Sequence, residues 1–204
     1  MPPISVAVVG HSYVRNMRDY VLARPQWHNM DVPRAVANVS WVCSGGASVL
    51  PHVPHRSAYL LLHQLHSLTP DLVYIHLGEN DLAALTGPAL VAAILAFVNA
   101  VIDSCRPRVI VVSQLTLFVQ NNHLADRVRY VNAQLQHVFA SFVGGTRVVY
   151  WKHRIGIWAI TGAQQTPHVR WGQGTTKPDW TREILPQCAT GIGSNDESTV
   201  ICCL

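Results

Sequence analysis

The stretch Ala7-Val8-Val9-Gly10-His11-Ser12 decides the fold of this chain. An apolar run typical of a buried strand ends at Gly10, and the residues after Ser12 have helical spacing. The pattern predicts that the Ser12 hydroxyl lies at the carboxyl end of a strand and at the N-terminus of a helix. Open α/β sheets bind ligands at that end of their strands, and the free N–H groups of a helix N-terminus stabilise negative charge there.

Strands and helices are predicted to alternate through three quarters of the chain. The apolar β-runs are residues 4–9, 36–43, 71–77, 108–113 and 146–151. Helical patterns are found at residues 13–23, from 54 to about 67, at 88–105 and at 124–142. This alternation favours a parallel sheet with helices on both faces, and right-handed crossovers leave few topologies open.

Composition and charge restrict the class of protein. The chain has 204 residues, of which 49% are hydrophobic and 13% are charged, so it can form one α/β domain with a substantial core. The net charge is +4, but the arginines are scattered and form no basic run. We therefore expect solvated arginines, with nucleic acid as a weak alternative partner.

The cysteine pattern and the absence of targeting signals point to an intracellular protein. Five cysteines, an odd number without a C-x-x-C pair, favour neither a disulfide framework nor a zinc ribbon, and fit a reducing compartment. We expect no signal peptide, because the apolar run at residues 4–9 is too short for one, and no membrane span, because no apolar run is expected to reach the length of a bilayer. Residues 155–204 are rich in Gly, Thr, Gln and Pro, and are predicted to form an irregular tail after a domain at residues 1–154.

Three predicted strand ends carry glycine or polar clusters: Gly10-His11-Ser12, Gly45-Gly46 and Gly78-Glu79-Asn80-Asp81. Neighbouring strand ends of a doubly wound sheet meet at one crevice. A serine, a glycine N–H and an asparagine amide at that crevice would supply a nucleophile and an oxyanion hole, which are the groups that acyl transfer needs.

In these clusters the chain resembles the SGNH (GDSL-type) hydrolase family, over about residues 4–154. Gly10-His11-Ser12 is similar to the family's first block, Gly46 to its second-block glycine, and Gly78-Glu79-Asn80-Asp81 to its Gly-x-Asn-Asp block. The resemblance implies a flavodoxin-like three-layer fold with a five-stranded parallel sheet, and the hydrolysis of acyl or acetyl esters on lipids or carbohydrates. It implies Ser12 as nucleophile, with the N–H groups of Ser12 and Gly46 and the side-chain amide of Asn80 as the oxyanion hole. It implies no cofactor and no metal.

The chain departs from the family at two places. His11 replaces the aspartate of the first block, and none of the eleven histidines has an acidic residue three positions before it, so the final Asp-x-x-His block is missing. A serine nucleophile without a base is weak. Three histidines could replace the missing base: His168, which has the right place in chain order, His153 and His11.

The sequence leaves two main hypotheses of function, with nucleic-acid binding as a weaker third. The first is a serine esterase that acts through Ser12. The second is a catalytically inactive binding module that keeps the crevice without the base, in the manner of divergent animal or mobile-element proteins. A metal site at four further histidines is disfavoured, because no carboxylate or cysteine completes a ligand pattern with His52, His55, His63 and His66. The two acids of the third cluster could form a functional carboxylate pair. The plainer expectation is an exposed Glu79 and an Asp81 that caps the following turn.

Overall fold

The computed structural model describes residues 2–116 and 122–152, all of which belong to one compact unit. The sheet has five parallel strands in the order β2-β1-β3-β4-β5. The strands are β1 (Ile4–Gly10), β2 (Ala37–Cys43), β3 (Leu72–His76), β4 (Val109–Ser113) and β5 (Arg147–Trp151). The α/β fold with a five-stranded parallel sheet, predicted from the sequence, is confirmed. Its strand order is that of the flavodoxin-like folds.

Four α-helices connect the strands: α1 (Ser12–Leu22), α2 (Leu62–Leu68), α3 (Gly87–Cys105) and α4 (Asn122–Ala140). Helix α1 packs against β1 and β2, whereas α3 packs against both α2 and α4. The buried residues of α2, α3 and α4 share one hydrophobic cluster with alternate residues of the strands, among them Ala7, Val9, Val73, Ile75, Ile110 and Val112. Strands β3 and β4 are buried along their whole length, as expected for the centre of a parallel sheet.

The helix that the sequence predicts from residue 54 is shorter in the structure. A 3-10 turn at Ala58–Leu61 leads into α2, and residues before it form turns. The reason is a long-range backbone pairing: the N–H of Ser48 donates to the carbonyl of Arg56 (2.7 Å), and the N–H of Ala58 donates to the carbonyl of Ser48 (2.8 Å). These bonds take the backbone groups that a helix starting at Pro54 would use. The helix-starting preference of proline is thereby overridden.

Helix α3 corrects the expectation that no apolar run reaches bilayer length. Among the described residues it is the helix that could cross a membrane by length and composition, with 19 residues and a mean hydropathy of 1.9. In the structure, however, Leu90, Ile94, Phe97 and Val101 on this helix are buried in the domain core. The predicted tail at 155–204 lies outside the described residues.

Candidate active site

The three polar clusters follow neighbouring strands. Strand β1 lies between β2 and β3, and Gly10 pairs with Cys43 on one side and with His76 on the other. The chain after β1 begins α1, and the chain after β3 continues toward α3, so the order of the strands reverses at this point. Such a switch point is where open α/β sheets bind ligands. The fold therefore places all three segments at one end of the sheet.

Ser12 is the first residue of α1 and is half-buried. His11 precedes it as the N-cap residue of the helix, and its Nδ1 accepts a hydrogen bond from the backbone N–H of Tyr13 (3.4 Å). The same Nδ1 atom lies 3.4 Å from the Oγ atom of Ser12. The predicted strand-to-helix turn is therefore present, with a histidine nitrogen beside the serine hydroxyl.

The loop after β2 is joined to both neighbours. The N–H of Ser44 donates to the carbonyl of Gly10 (3.1 Å), and Gly46 has a φ of +70°, the left-handed conformation that glycine adopts readily. The side-chain amide of the exposed Asn80 donates to the carbonyl of Ala47 (2.8 Å). Residues 44–47 thus lie between the ends of β1 and β3. Of the predicted site residues, Ser12, Gly46 and Asn80 are on adjoining segments, whereas His153 and His168 lie outside the described residues.

Glu79 is buried, with 7% of its surface exposed, so the expectation of an exposed side chain is wrong. Its Oε2 lies 2.9 Å from Nε2 of His11, and its Oε1 lies 3.2 Å from Nε2 of His76. The backbone N–H of Thr116 also donates to Oε1 (2.9 Å). A buried carboxylate is stable only when such partners replace its lost hydration. Here two imidazoles and a backbone amide do so.

His76 is the site residue that the sequence analysis missed. It is the last residue of β3, and its Nδ1 lies 2.6 Å from the Oγ of Ser113 on β4. A polar residue at the end of a wholly apolar strand, three residues before the acid of the Gly-x-Asn-Asp block, was the available signal. The structure therefore contains a buried polar chain of Ser113, His76, Glu79 and His11 that ends at Ser12.

Burial and neighbouring charge have opposite effects on the pKa of Glu79. Burial alone raises the pKa of its carboxyl group, but attraction to His76 and the hydrogen bond from His11 outweigh it and lower the pKa to about 2. Burial lowers the pKa of His76. At neutral pH the polar chain is therefore built around an ionised Glu79, with His76 favoured in its neutral form.

Asp81 is also buried and does not act as the predicted cap of the following turn. Its Oδ1 accepts a hydrogen bond from the hydroxyl of Ser48, and its Oδ2 accepts one from the N–H of Val49 (3.0 Å). The carboxylate thereby fixes the chain after the Gly45-Gly46 loop to the loop after β3. Its role in the structure is to hold together two of the three segments of the site.

Two groups of histidines bear on metal binding. The potential ligand atoms of His11, His76 and Glu79 lie within 4.8 Å of one another. However, each carboxylate oxygen already contacts an imidazole nitrogen, so a metal ion would have to replace both contacts. The other group, His52, His55, His63 and His66, is exposed, as expected for solvent-facing side chains.

Comparisons with known proteins found similar solved structures at low identity. No protein-family model matches the sequence, and no curated protein matches it. An acetyl esterase mutant with an acetate ion is 10% identical with a TM-score of 0.47, covering 73% of this chain and 79% of that one. A family two carbohydrate esterase from Clostridium thermocellum is 15% identical with a TM-score of 0.48, covering 75% of this chain and 55% of that one.

An acetyl xylan esterase, Est2A, from the rumen bacterium Butyrivibrio proteoclasticus is 12% identical with a TM-score of 0.45. The match covers 74% of this chain and 56% of that one. This chain thus spans little more than half the length of the Clostridium and Butyrivibrio enzymes. These are similarities of fold.

Proposed function

We propose that this chain is an SGNH-type serine hydrolase that cleaves carboxylic esters through a covalent acyl-enzyme on Ser12. The observation that carries the proposal is the position of Ser12, which begins α1 at the carboxyl end of β1 and at the switch point of the sheet. A hydroxyl at that place lies at the ligand-binding edge of the sheet and at the positive end of a helix dipole.

The oxyanion hole is assigned to the N–H groups of Ser12 and Gly46 and to the side-chain amide of Asn80. Supporting this assignment, the loop that carries Gly46 is hydrogen-bonded to Gly10 on one side and to Asn80 on the other. Donors that are fixed before the reaction stabilise the charge of a tetrahedral intermediate without reorganisation.

The substrate class that we propose is an acyl or acetyl ester of a carbohydrate or lipid, as the resemblance to the SGNH family implies. Water completes the cycle by hydrolysing the acyl-enzyme, and the reaction needs no cofactor. The chain order makes His168 one candidate for the base, and this residue lies outside the described residues.

A second candidate function is a binding module without catalysis. The observation that favours it is the missing Asp-x-x-His block, because loss of the base in serine hydrolases leaves only a small residual rate. In that case the crevice holds a ligand and Ser12 is one of its hydrogen-bonding groups.

The two functions are separated by one experiment. Wild type and Ser12→Ala are incubated with a fluorophosphonate probe and with p-nitrophenyl acetate. The hydrolase predicts a covalent adduct at Ser12 and turnover that Ser12→Ala abolishes. Equal behaviour of the two proteins, or no adduct on the wild type, contradicts the hydrolase and favours the binding module.

A further inference from the structure

Building on the proposed function, we propose that His11 is the general base of Ser12 and that Glu79 positions it, so that the base precedes the nucleophile in sequence. The three groups form a continuous chain. Glu79 Oε2 lies 2.9 Å from His11 Nε2, and His11 Nδ1 lies 3.4 Å from Ser12 Oγ. These are the carboxylate, imidazole and hydroxyl contacts that activate a serine.

The ionised carboxylate selects the tautomer of His11. A carboxylate only accepts hydrogen bonds, so Nε2 of a neutral His11 carries the proton and donates it to Glu79. The lone pair is then on Nδ1, the atom that faces the Ser12 hydroxyl and the N–H of Tyr13. A neutral imidazole in this tautomer can accept the serine proton. The 3.4 Å contact is long, as catalytic hydrogen bonds often are before substrate binds.

The other half of the polar chain holds Glu79 in place. Nε2 of His76 and the N–H of Thr116 both contact Oε1, which leaves Oε2 for His11. Because His76 donates from Nε2 in its neutral form, its Nδ1 accepts the hydroxyl proton of Ser113. The hydrogen bonds from Ser113 through His76 and Glu79 to His11 can therefore be satisfied at once with a single negative charge, which lies on Glu79. The one lone pair of His11 Nδ1 is shared by the Tyr13 N–H and the Ser12 hydroxyl.

The proposed proton transfers balance through one turnover. Ser12 Oγ attacks the ester carbonyl carbon while its proton moves to Nδ1 of His11, giving an oxyanion intermediate and an imidazolium beside ionised Glu79. When the bond from the carbonyl carbon to the alcohol oxygen breaks, that proton passes to the leaving alcohol. Water then attacks the acyl-enzyme, gives its proton to His11, and releases the carboxylic acid as the proton returns to Ser12.

A capping role alone does not explain the environment of His11. Capping α1 needs one acceptor for the N–H of Tyr13, and asparagine or serine would provide it. Neither would require a buried carboxylate, which costs free energy unless it is paired. The His11–Glu79 contact is fully buried, with 1% and 2% of the two side chains exposed, whereas Ser12 is half-buried. The polar chain thus runs from the core to the nucleophile.

The test uses the rate and the final extent of Ser12 labelling by a fluorophosphonate in the full chain. His11→Asn keeps an N-cap residue but removes the base. We expect its labelling rate to fall by about 10²–10⁴-fold while the extent still approaches one label per molecule. Misfolding would do the reverse and lower the extent at an unchanged rate. Exposed His63→Asn is the matched control, and its rate should equal that of the wild type.

Glu79→Gln separates positioning from folding. We expect kcat for p-nitrophenyl acetate to fall by about 10-fold or more at an unchanged KM, because the amide no longer selects the tautomer of His11. If His11→Asn does not fold, the same labelling test is done with the double variant His11→Asn/Glu79→Gln, in which residue 79 has no charge.

Each remaining outcome overturns a different statement. Loss of labelling in Ser12→Ala together with a wild-type rate in His11→Asn overturns the role of His11 and leaves the hydrolase intact. If the labelling rate falls as much in His168→Asn as in His11→Asn, His168 is the base instead of His11. Inactivation of the wild type by EDTA replaces the proposal with a metal site. Absence of labelling on the wild type overturns the hydrolase itself.

Discussion

Nε2 of His11 and Oε2 of Glu79 lie 2.9 Å apart although 68 positions separate the two residues in the chain. The contact joins the start of α1 to the loop after β3 across the switch point of the sheet. Because both side chains are buried, the pair is isolated from solvent and from the screening by salt that weakens surface ion pairs. The contact therefore holds the start of α1 against the loop after β3, and breaking it by removing one partner leaves the other buried and unpaired.

The stability of the protein should fall as the pH is lowered from 7 to 3. The pKa of Glu79 is lowered from 4.5 to about 2, so its contribution is complete above 4.5 and is lost as the pH falls through that value toward 2. The pKa of His76 is also lowered, so its contribution is lost as the pH falls through 6.5. At about 1.4 kcal/mol per pKa unit, Glu79 should account for roughly 2 kcal/mol of the loss by pH 3. Urea unfolding at several pH values measures the total.

Glu79→Gln is the comparison for this prediction. It removes the carboxyl group that titrates and retains its shape, so the free energy of unfolding should change less steeply between pH 5 and pH 3 than in the wild type. The variant should also be less stable at pH 7, because an ionic hydrogen-bond partner of two imidazoles is lost. Identical slopes in the two proteins would show that other groups cause the acid sensitivity.

Asn80→Ala should reduce turnover without unfolding the protein. In the proposed hydrolase the Asn80 amide stabilises the oxyanion, and loss of one such donor lowers kcat by about 10²–10³-fold. Its hydrogen bond to the carbonyl of Ala47 lies at an exposed residue, so the change in stability should stay near 1 kcal/mol or below. Steady-state hydrolysis of p-nitrophenyl acetate and thermal unfolding are the two measurements.

Asn99→Ala is the control for Asn80, since Asn99 is exposed on α3. It should retain the activity of the wild type. A kcat for Asn80→Ala within about twofold of this control would remove Asn80 from the oxyanion hole.

Ser48→Ala should destabilise the protein although Ser48 touches none of the groups proposed to react. Its buried hydroxyl donates to the buried carboxylate of Asp81 and accepts the N–H of Leu50 (3.1 Å). Loss of a hydrogen bond to a charged group costs about 1.5–3 kcal/mol. Urea unfolding should show that loss, whereas Ser141→Ala, at the exposed residue immediately after α4, should change stability by about 0.5 kcal/mol or less. Equal effects of the two substitutions would contradict the role given to Asp81.

The sheet could be predicted from the sequence because its strands are continuous apolar runs that end at glycine or polar residues. The third strand, predicted at 71–77, is observed at Leu72–His76. The turn from β1 into α1 at Ser12 could also be predicted, because a change from strand to helical spacing at Gly10 is a local signal. Local signals failed at Pro54, where backbone pairing between Ser48 and residues 56–58 prevented the expected helix.

The polar chain below Ser12 could not be predicted in the same way. A glutamate after a strand is normally exposed. Here it is buried because His11 and Thr116 reach it from distant parts of the chain and His76 from the end of the strand just before it. The spacing of these residues in the sequence does not show that they are in contact in the fold. Similarly, adjacent side chains such as His11 and Ser12 usually diverge, but the capping geometry of α1 directs Nδ1 toward both Ser12 and Tyr13.

Gly78→Ala should be among the more damaging glycine substitutions, because Gly78 positions the loop that carries Glu79 and Asn80. Its φ of +122° is a conformation that L-amino acids rarely adopt, and an added Cβ would lie 3.1 Å from the side chains of Ile94 and Leu115. Strain of this kind costs about 1–3 kcal/mol. Gly145→Ala is the matched control, since a Cβ there meets nothing within 4 Å and should change stability by about 0.5 kcal/mol or less. Chemical unfolding gives both values.

If Gly78→Ala is as stable as Gly145→Ala, the loop tolerates a different backbone path. If it is destabilised and its labelling rate at Ser12 also falls, the conformation of Gly78 is needed to hold Glu79 and Asn80 beside the nucleophile.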